Sequence, residues 1–142
     1  MTTPAWAAHL VARVCAEQGF PEPAELVWRR SSRKPNTSGR TVPVGDGYRI
    51  AITTGTDRRD HRITLLHELA HGQVGNAHHH DAEFWAAAWG LYEVYRGRVT
   101  MRYILENEGD YKRGALTVAA ELGIVGAKAA LRSRAQAEGG NR

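Results

Sequence analysis

Between Asp60 and Val74 the spacing of apolar residues becomes helical, and three ionisable side chains sit inside the apolar run. Ile63, Leu66, Ala70 and Val74 fall at i, i+3, i+7 and i+11, which makes one core-facing stripe. Leu65 and Leu69 crowd the same segment, and His67, Glu68 and His71 interrupt it. Two imidazoles and a carboxylate beside a core stripe cost free energy unless something pairs with them. A fold for this chain must therefore bury the segment and also give those groups a partner. The core has to do this without disulfides, because Cys15 is the single cysteine in 142 residues. With 42% hydrophobic and 24% charged residues the chain has the means for such a core, and disorder, collagen and coiled coil are excluded.

The flanking sequence predicts α+β architecture. Residues 4–18 place Trp6, Leu10, Val11 and Val14 at helical spacing, with Thr3 as N-cap and Pro4 in the first turn. Gly19 and Phe20-Pro21 stop that helix. Leu26-Val27-Trp28 reads as a short strand, and 31–40 as a polar loop. Thr41–Val44 and Tyr48–Thr53 read as a hairpin around Gly45-Asp46-Gly47, with Pro43 confining its strand to an edge. A small antiparallel sheet is thus expected behind one N-terminal helix. After the helix that Gly75-Asn76 ends, Asp81 is placed to cap a second one, in which Phe84, Ala88, Leu91 and Tyr95 share a face and Gly97 closes. The pattern weakens through Asn107-Glu108-Gly109, so a boundary is set there: 1–109 as one domain, 110–142 as a helical tail with helices near 110–122 and 125–137. No apolar run approaches the roughly 18 residues of a membrane span. The N-terminus has no basic segment before an apolar one, so a cytoplasmic location is expected.

The chemistry concentrates in His67-Glu68-Leu69-Ala70-His71, which fits H-E-x-x-H. Residues i and i+4 of a helix project about 40° apart, so both imidazoles can reach one metal ion while Glu68 lies within reach of a metal-bound water. Two nitrogen ligands, an open coordination position and a carboxylate base are what a zinc hydrolase requires. A third ligand is then needed, and His78, His79 and His80 follow shortly. His80 is favoured because it directly precedes the capped helix start; Glu93 on that helix is the rival. An oxyanion stabiliser is also needed, and Tyr92, Tyr95, His61 and Arg96 are near in sequence without one standing out. The strand Tyr48–Thr53 is a candidate to pair with an extended peptide. The four tryptophans read as core.

The segment 65–71, followed by His80-Asp81-Ala82-Glu83-Phe84-Trp85, resembles the SprT-like zinc metallopeptidases and the related compact minigluzincins. The resemblance covers residues 61–96 and extends weakly over the preceding sheet. It implies a zincin-like fold, a Zn2+ cofactor, His67, His71 and His80 as ligands and Glu68 as general base. It implies hydrolysis of peptide bonds in a protein or peptide substrate through Glu-assisted attack of a zinc-bound water. The loop from His71 to His80 is shorter than in Spartan-type crosslink proteases, and the zinc ribbon of many SprT-like proteins is excluded by the cysteine count. The competing readings are a DNA-binding protein with a structural or vestigial metal site and a zinc hydrolase with a non-peptide substrate.

The net charge of +4 lies wholly in residues 111–142. There, the run 117–124 followed by 126–134 resembles a helix-turn-helix whose second, basic helix would meet DNA through Lys128, Arg132 and Arg134. The other reading, slightly favoured, is an Ala-rich helical hairpin with a solvated basic face. Arg58, Arg59 and Arg62 are the next candidates for a nucleic-acid surface.

Overall fold

Two aspartates start the helices that carry the histidines. Asp60 Oδ1 accepts hydrogen bonds from the N–H of Arg62 at 2.8 Å and of Ile63 at 3.2 Å. Asp81 Oδ1 accepts from Phe84 N–H at 2.9 Å. Each satisfies donors that a helix N-terminus otherwise leaves orphaned. The computed structural model describes residues 2–30, 39–55, 59–75 and 79–139. Among them the fold is α+β, with six helices and three strands: α1 (Ala5–Gln18), β1 (Glu25–Arg30), β2 (Gly39–Val44), β3 (Gly47–Thr54), α2 (His61–Val74), α3 (Ala82–Tyr95), α4 (Met101–Tyr111), α5 (Arg113–Glu121) and α6 (Ala127–Gly139). The chain groups into two compact units, Met1–His79 and His80–Arg142.

The first unit holds α1, the sheet and α2. The sheet order is β1-β3-β2, with β2 antiparallel and β1 parallel to the central β3. The expected antiparallel sheet is therefore corrected to a mixed one. The hairpin forms, with Gly47 drawn into β3 opposite Val44 and Gly45 at φ 56° in the two-residue turn that remains, where primed turns need a positive φ. The chain reverses between β1 and β2 and again at the hairpin, which leaves β1 and β3 running the same way. Placing β1 on β3 keeps the strand with Pro43 at an edge, since proline has no N–H for a second ladder. Because β3 is paired on both sides, Tyr48–Thr53 has no edge to offer an extended peptide, and that expectation is withdrawn.

Thr3 does not cap α1: its hydroxyl donates to Leu26 O at 3.3 Å, and Pro4 occupies the cap position without a side-chain bond. Gly19, at φ 74°, ends the helix, with the N–H of Gly19 and of Phe20 both closing on Cys15 O. Trp6 is 41% exposed, edge-on to the buried Trp28 with ring centroids 5.6 Å apart. In α2 the burial exceeds a stripe. All eight residues from Ile63 to Ala70 are buried, including Thr64, His67 and Glu68, as expected of a helix covered on more than one side, while Val74 is only half-buried.

Tyr48 ties three elements of this unit together. Its hydroxyl donates to Pro21 O at 2.6 Å, Cys15 Sγ lies 4.0 Å away, and its ring lies against Gly72 of α2. Burial pushes the Cys15 thiol up to about 11, so this cysteine is an inert core residue.

The second unit packs α3, α4, α5 and α6. Trp89 Nε1 donates to Ala115 O at 2.9 Å, and the Tyr92 hydroxyl donates to Glu108 Oε2 at 2.7 Å, where Glu108 is fully buried. Helix α4 was not anticipated in the sequence. It begins at a Thr100 cap that accepts from Tyr103 N–H, and it absorbs Asn107-Glu108-Gly109. Gly109 lies inside α4, where Leu116 packs against it. Helices α5 and α6 form close to where they are expected. Arg134 contacts Asp110 at 2.6 Å and Glu138 at 3.7 Å, and Arg113 contacts Glu138 at 3.2 Å. Lys128 and Arg132 are exposed. No described helix is long and apolar enough to cross a membrane.

The Tyr48–Gly72 contact sets a prediction. Gly→Ala inside a helix ordinarily gains up to about 1 kcal/mol. A Cβ on Gly72 would stand 2.5 Å from two ring carbons of Tyr48, which its bond to Pro21 holds in place. Gly72→Ala should therefore lower unfolding stability by about 1–3 kcal/mol in a urea titration. A gain in stability would contradict this packing.

Candidate metal centre

His67 and His71, one turn apart on α2, present their rings on one helix face, with centroids 5.3 Å apart and planes at 66°. His67 is buried and His71 half-buried. His80, the residue at which the second unit begins, is half-buried and fixed by its own neighbours. Phe84 stands edge-on at 4.9 Å, Tyr111 edge-on at 5.2 Å, and Trp85 tilted at 5.8 Å between centroids. The ring contacts with Phe84 and Trp85 follow from the Asp81 cap, which starts α3 one residue after His80.

Ligand atoms of His67, His71 and His80 all lie within 4.8 Å of one another, and among the described residues these three form the candidate metal-binding group. At a Zn–N distance of about 2.0–2.1 Å, the ligand nitrogens of a tetrahedral ion stand roughly 3.3–3.4 Å apart, inside that 4.8 Å limit. Three neutral imidazoles suit zinc, and the buried Cys15 thiol is not among the donors. His79 and Glu93 are exposed and outside the group, and His78 lies outside the described residues.

Glu68 follows His67 on the helix and points to the sheet. Thr41 on β2 places its hydroxyl 2.8 Å from Glu68 Oε1. Burial pushes the Glu68 carboxyl up to about 7, while the hydrogen bond from Thr41 and the charge of Arg59 act in the opposite direction. Thr41 was read from sequence only as a strand residue. Nothing in the pattern links it to a side chain 27 positions away.

The other residues weighed for the chemistry are occupied differently. Tyr92 is buried against Glu108, and Tyr95 is buried. His61 lies edge-on to Trp28 at 6.0 Å, and Arg96 Nη1 donates to Val99 O at 2.9 Å. Arg59 and Arg62 are half-buried, and Arg58 lies outside the described residues. No family model, curated protein or solved structure matches this chain.

The raised carboxyl makes stability depend on pH. In chelator-treated protein Glu68 holds its proton in the folded state up to about 7 but loses it near 4.5 when unfolded. Between those values the folded state binds more protons, so stability falls as pH rises and is flat above about 7. Glu68→Gln should remove that slope and make the chelated protein more stable at pH 8, by on the order of 3 kcal/mol. Denaturant titrations at pH 5 and pH 8 check this. An unchanged slope in the variant would show that Glu68 is not the group responsible.

Proposed function

We propose that the chain is a zinc-dependent metallopeptidase of SprT-like type with a zincin-like catalytic arrangement. The observation that carries the reading is the convergence of His67, His71 and His80 ligand atoms within 4.8 Å, one residue along α2 from a buried carboxylate. The resemblance of 61–96 to those enzymes supports it. So does the identity of Glu68, since a purely structural site has no need of a base beside its ligands.

In this reading His67, His71 and His80 hold the ion, which when bound supplies Lewis-acid polarisation of the substrate carbonyl and acidification of water. Glu68 takes a proton from the attacking water at a carboxylate oxygen and returns it to the leaving amine. The apolar residues around it keep bulk water from competing for that carboxylate. Phe84, Trp85 and Tyr111 orient the His80 ring. An extended substrate would pair along the edge strand β2.

Nucleic acid would enter as a second partner through Lys128 and Arg132, exposed on α6, with Arg134 already engaged by Asp110 and Glu138. Such binding would come from phosphate neutralisation and fall steeply with salt, and it would be lost in Lys128→Ala/Arg132→Ala protein.

Purified protein should bind about one zinc per chain, with affinity lowered at least about tenfold by each of His67→Ala, His71→Ala and His80→Ala. Glu68→Gln should keep the zinc and the fold while slowing hydrolysis of unfolded casein by about 10²–10⁴-fold. Cleavage by Glu68→Gln at the unmodified rate would overturn the peptidase mechanism. Full zinc binding by His80→Ala would overturn the ligand assignment.

A further inference from the structure

Glu68 meets the sheet through two positions of β2. Thr41 Oγ1 lies 2.8 Å from Glu68 Oε1 and 3.1 Å from the Glu68 backbone oxygen. A hydroxyl has one proton to give, and the carboxylate is both the nearer and the stronger acceptor. Two residues earlier, on the same face of the strand, Gly39 brings bare backbone over the carboxylate. A Cβ there would stand 3.0 Å from Glu68 Cγ, 3.0 Å from Oε2 and 2.8 Å from Thr64 Cγ2. The two carboxylate oxygens thus have different surroundings: Oε1 meets a hydroxyl, and Oε2 lies where a side chain has been left out.

From this placement we infer that Thr41 is a positioning residue for Glu68, its hydroxyl holding Oε1 and so fixing the orientation of the carboxylate that exchanges the proton, with Gly39 leaving that carboxylate room beside β2. The inference rests on the proposed role of Glu68. A glutamate has three rotatable side-chain bonds, and proton transfer needs its oxygen placed to within a fraction of an ångström. Burial alone does not fix that orientation, whereas a hydrogen bond to one named oxygen does. A residue that merely satisfied a buried carboxylate would affect stability without acting on the proton-transfer step.

The test compares Thr41→Val, which keeps the branched shape and loses the hydroxyl, with Thr41→Ser, which keeps the hydroxyl. Three quantities are read in zinc-loaded protein: kcat and KM on fluorescent casein, zinc affinity by chelator competition, and binding of acetohydroxamate, whose hydroxyl proton needs a neighbouring carboxylate. Thr41→Val should lower kcat about 10- to 100-fold, with KM and zinc affinity within about threefold, and Thr41→Ser should recover to within about threefold. Thr41→Val should weaken acetohydroxamate about 5- to 10-fold, and have no effect on it in Glu68→Gln protein, because the hydroxyl acts through that carboxylate. Wild-type kcat and acetohydroxamate affinity in Thr41→Val would overturn the inference and leave the peptidase reading standing. A loss equal in the Ser and Val variants, or one that persists in Glu68→Gln protein, would overturn it in favour of packing. Protein that neither binds zinc nor cleaves casein would overturn the peptidase reading, and this inference with it.

Discussion

A carboxylate and an imidazole side by side in the buried middle of α2 are the constraint around which the first unit is organised. Glu68 is 7% exposed and His67 3%, in a stretch where all other residues from Ile63 to Ala70 are also buried. Groups of this kind are retained in a core only if hydrogen bonds, charges or a metal compensate the loss of water. Thr41 supplies the hydrogen bond and Arg59 an opposite charge, yet burial remains the larger influence on Glu68. The register of β2 against β3 fixes where Thr41 stands, and the glycine two positions earlier lets the strand come close enough. The same unit is anchored at its other end by Tyr48, which binds the Pro21 carbonyl and packs on Gly72, next to His71. Sheet, glycines and helix thus act as one support for the side chains of α2.

Much of this was legible because it is local. Helix α2 announces itself by periodicity, α3 by the Asp81 cap, and the β2–β3 hairpin by its Gly-Asp turn and an edge-confining proline; the Asp60 cap of α2 is seen only in the structure. What failed was long-range. The parallel placement of β1 on β3 depends on a chain path that no local pattern encodes. Helix α4 was missed because Asn107 and Gly109 are poor helix-interior residues and Glu108 is a charged residue at a core position; packing overrides both, since Gly109 accommodates Leu116 and Glu108 is held by the Tyr92 hydroxyl. The stripe read in α2 underestimated its burial, since polar identity at His67, Glu68 and Thr64 masked a fully covered stretch.

The candidate site divides in the same way. His67, Glu68 and His71 were readable from spacing alone, and His80 from its place before a capped helix. The aromatic surround of His80 needed the fold, because Tyr111 lies 31 residues further along the chain. Thr41 needed it equally. On α6, sequence shows a basic helix, but the structure commits Arg134 to Asp110 and Glu138 and leaves a smaller exposed charge. Exposed pairs of this sort add little stability, so their main consequence is to reduce the charge available to a polyanion.

The central claim is that these three imidazoles share one ion. X-ray absorption at the zinc edge of the loaded protein reads the coordination shell directly. The shell should hold three imidazole nitrogens with a light oxygen donor at about 2.0–2.1 Å, and two imidazoles in His80→Ala protein. A shell containing sulfur, or one unchanged by the loss of His80, would contradict it.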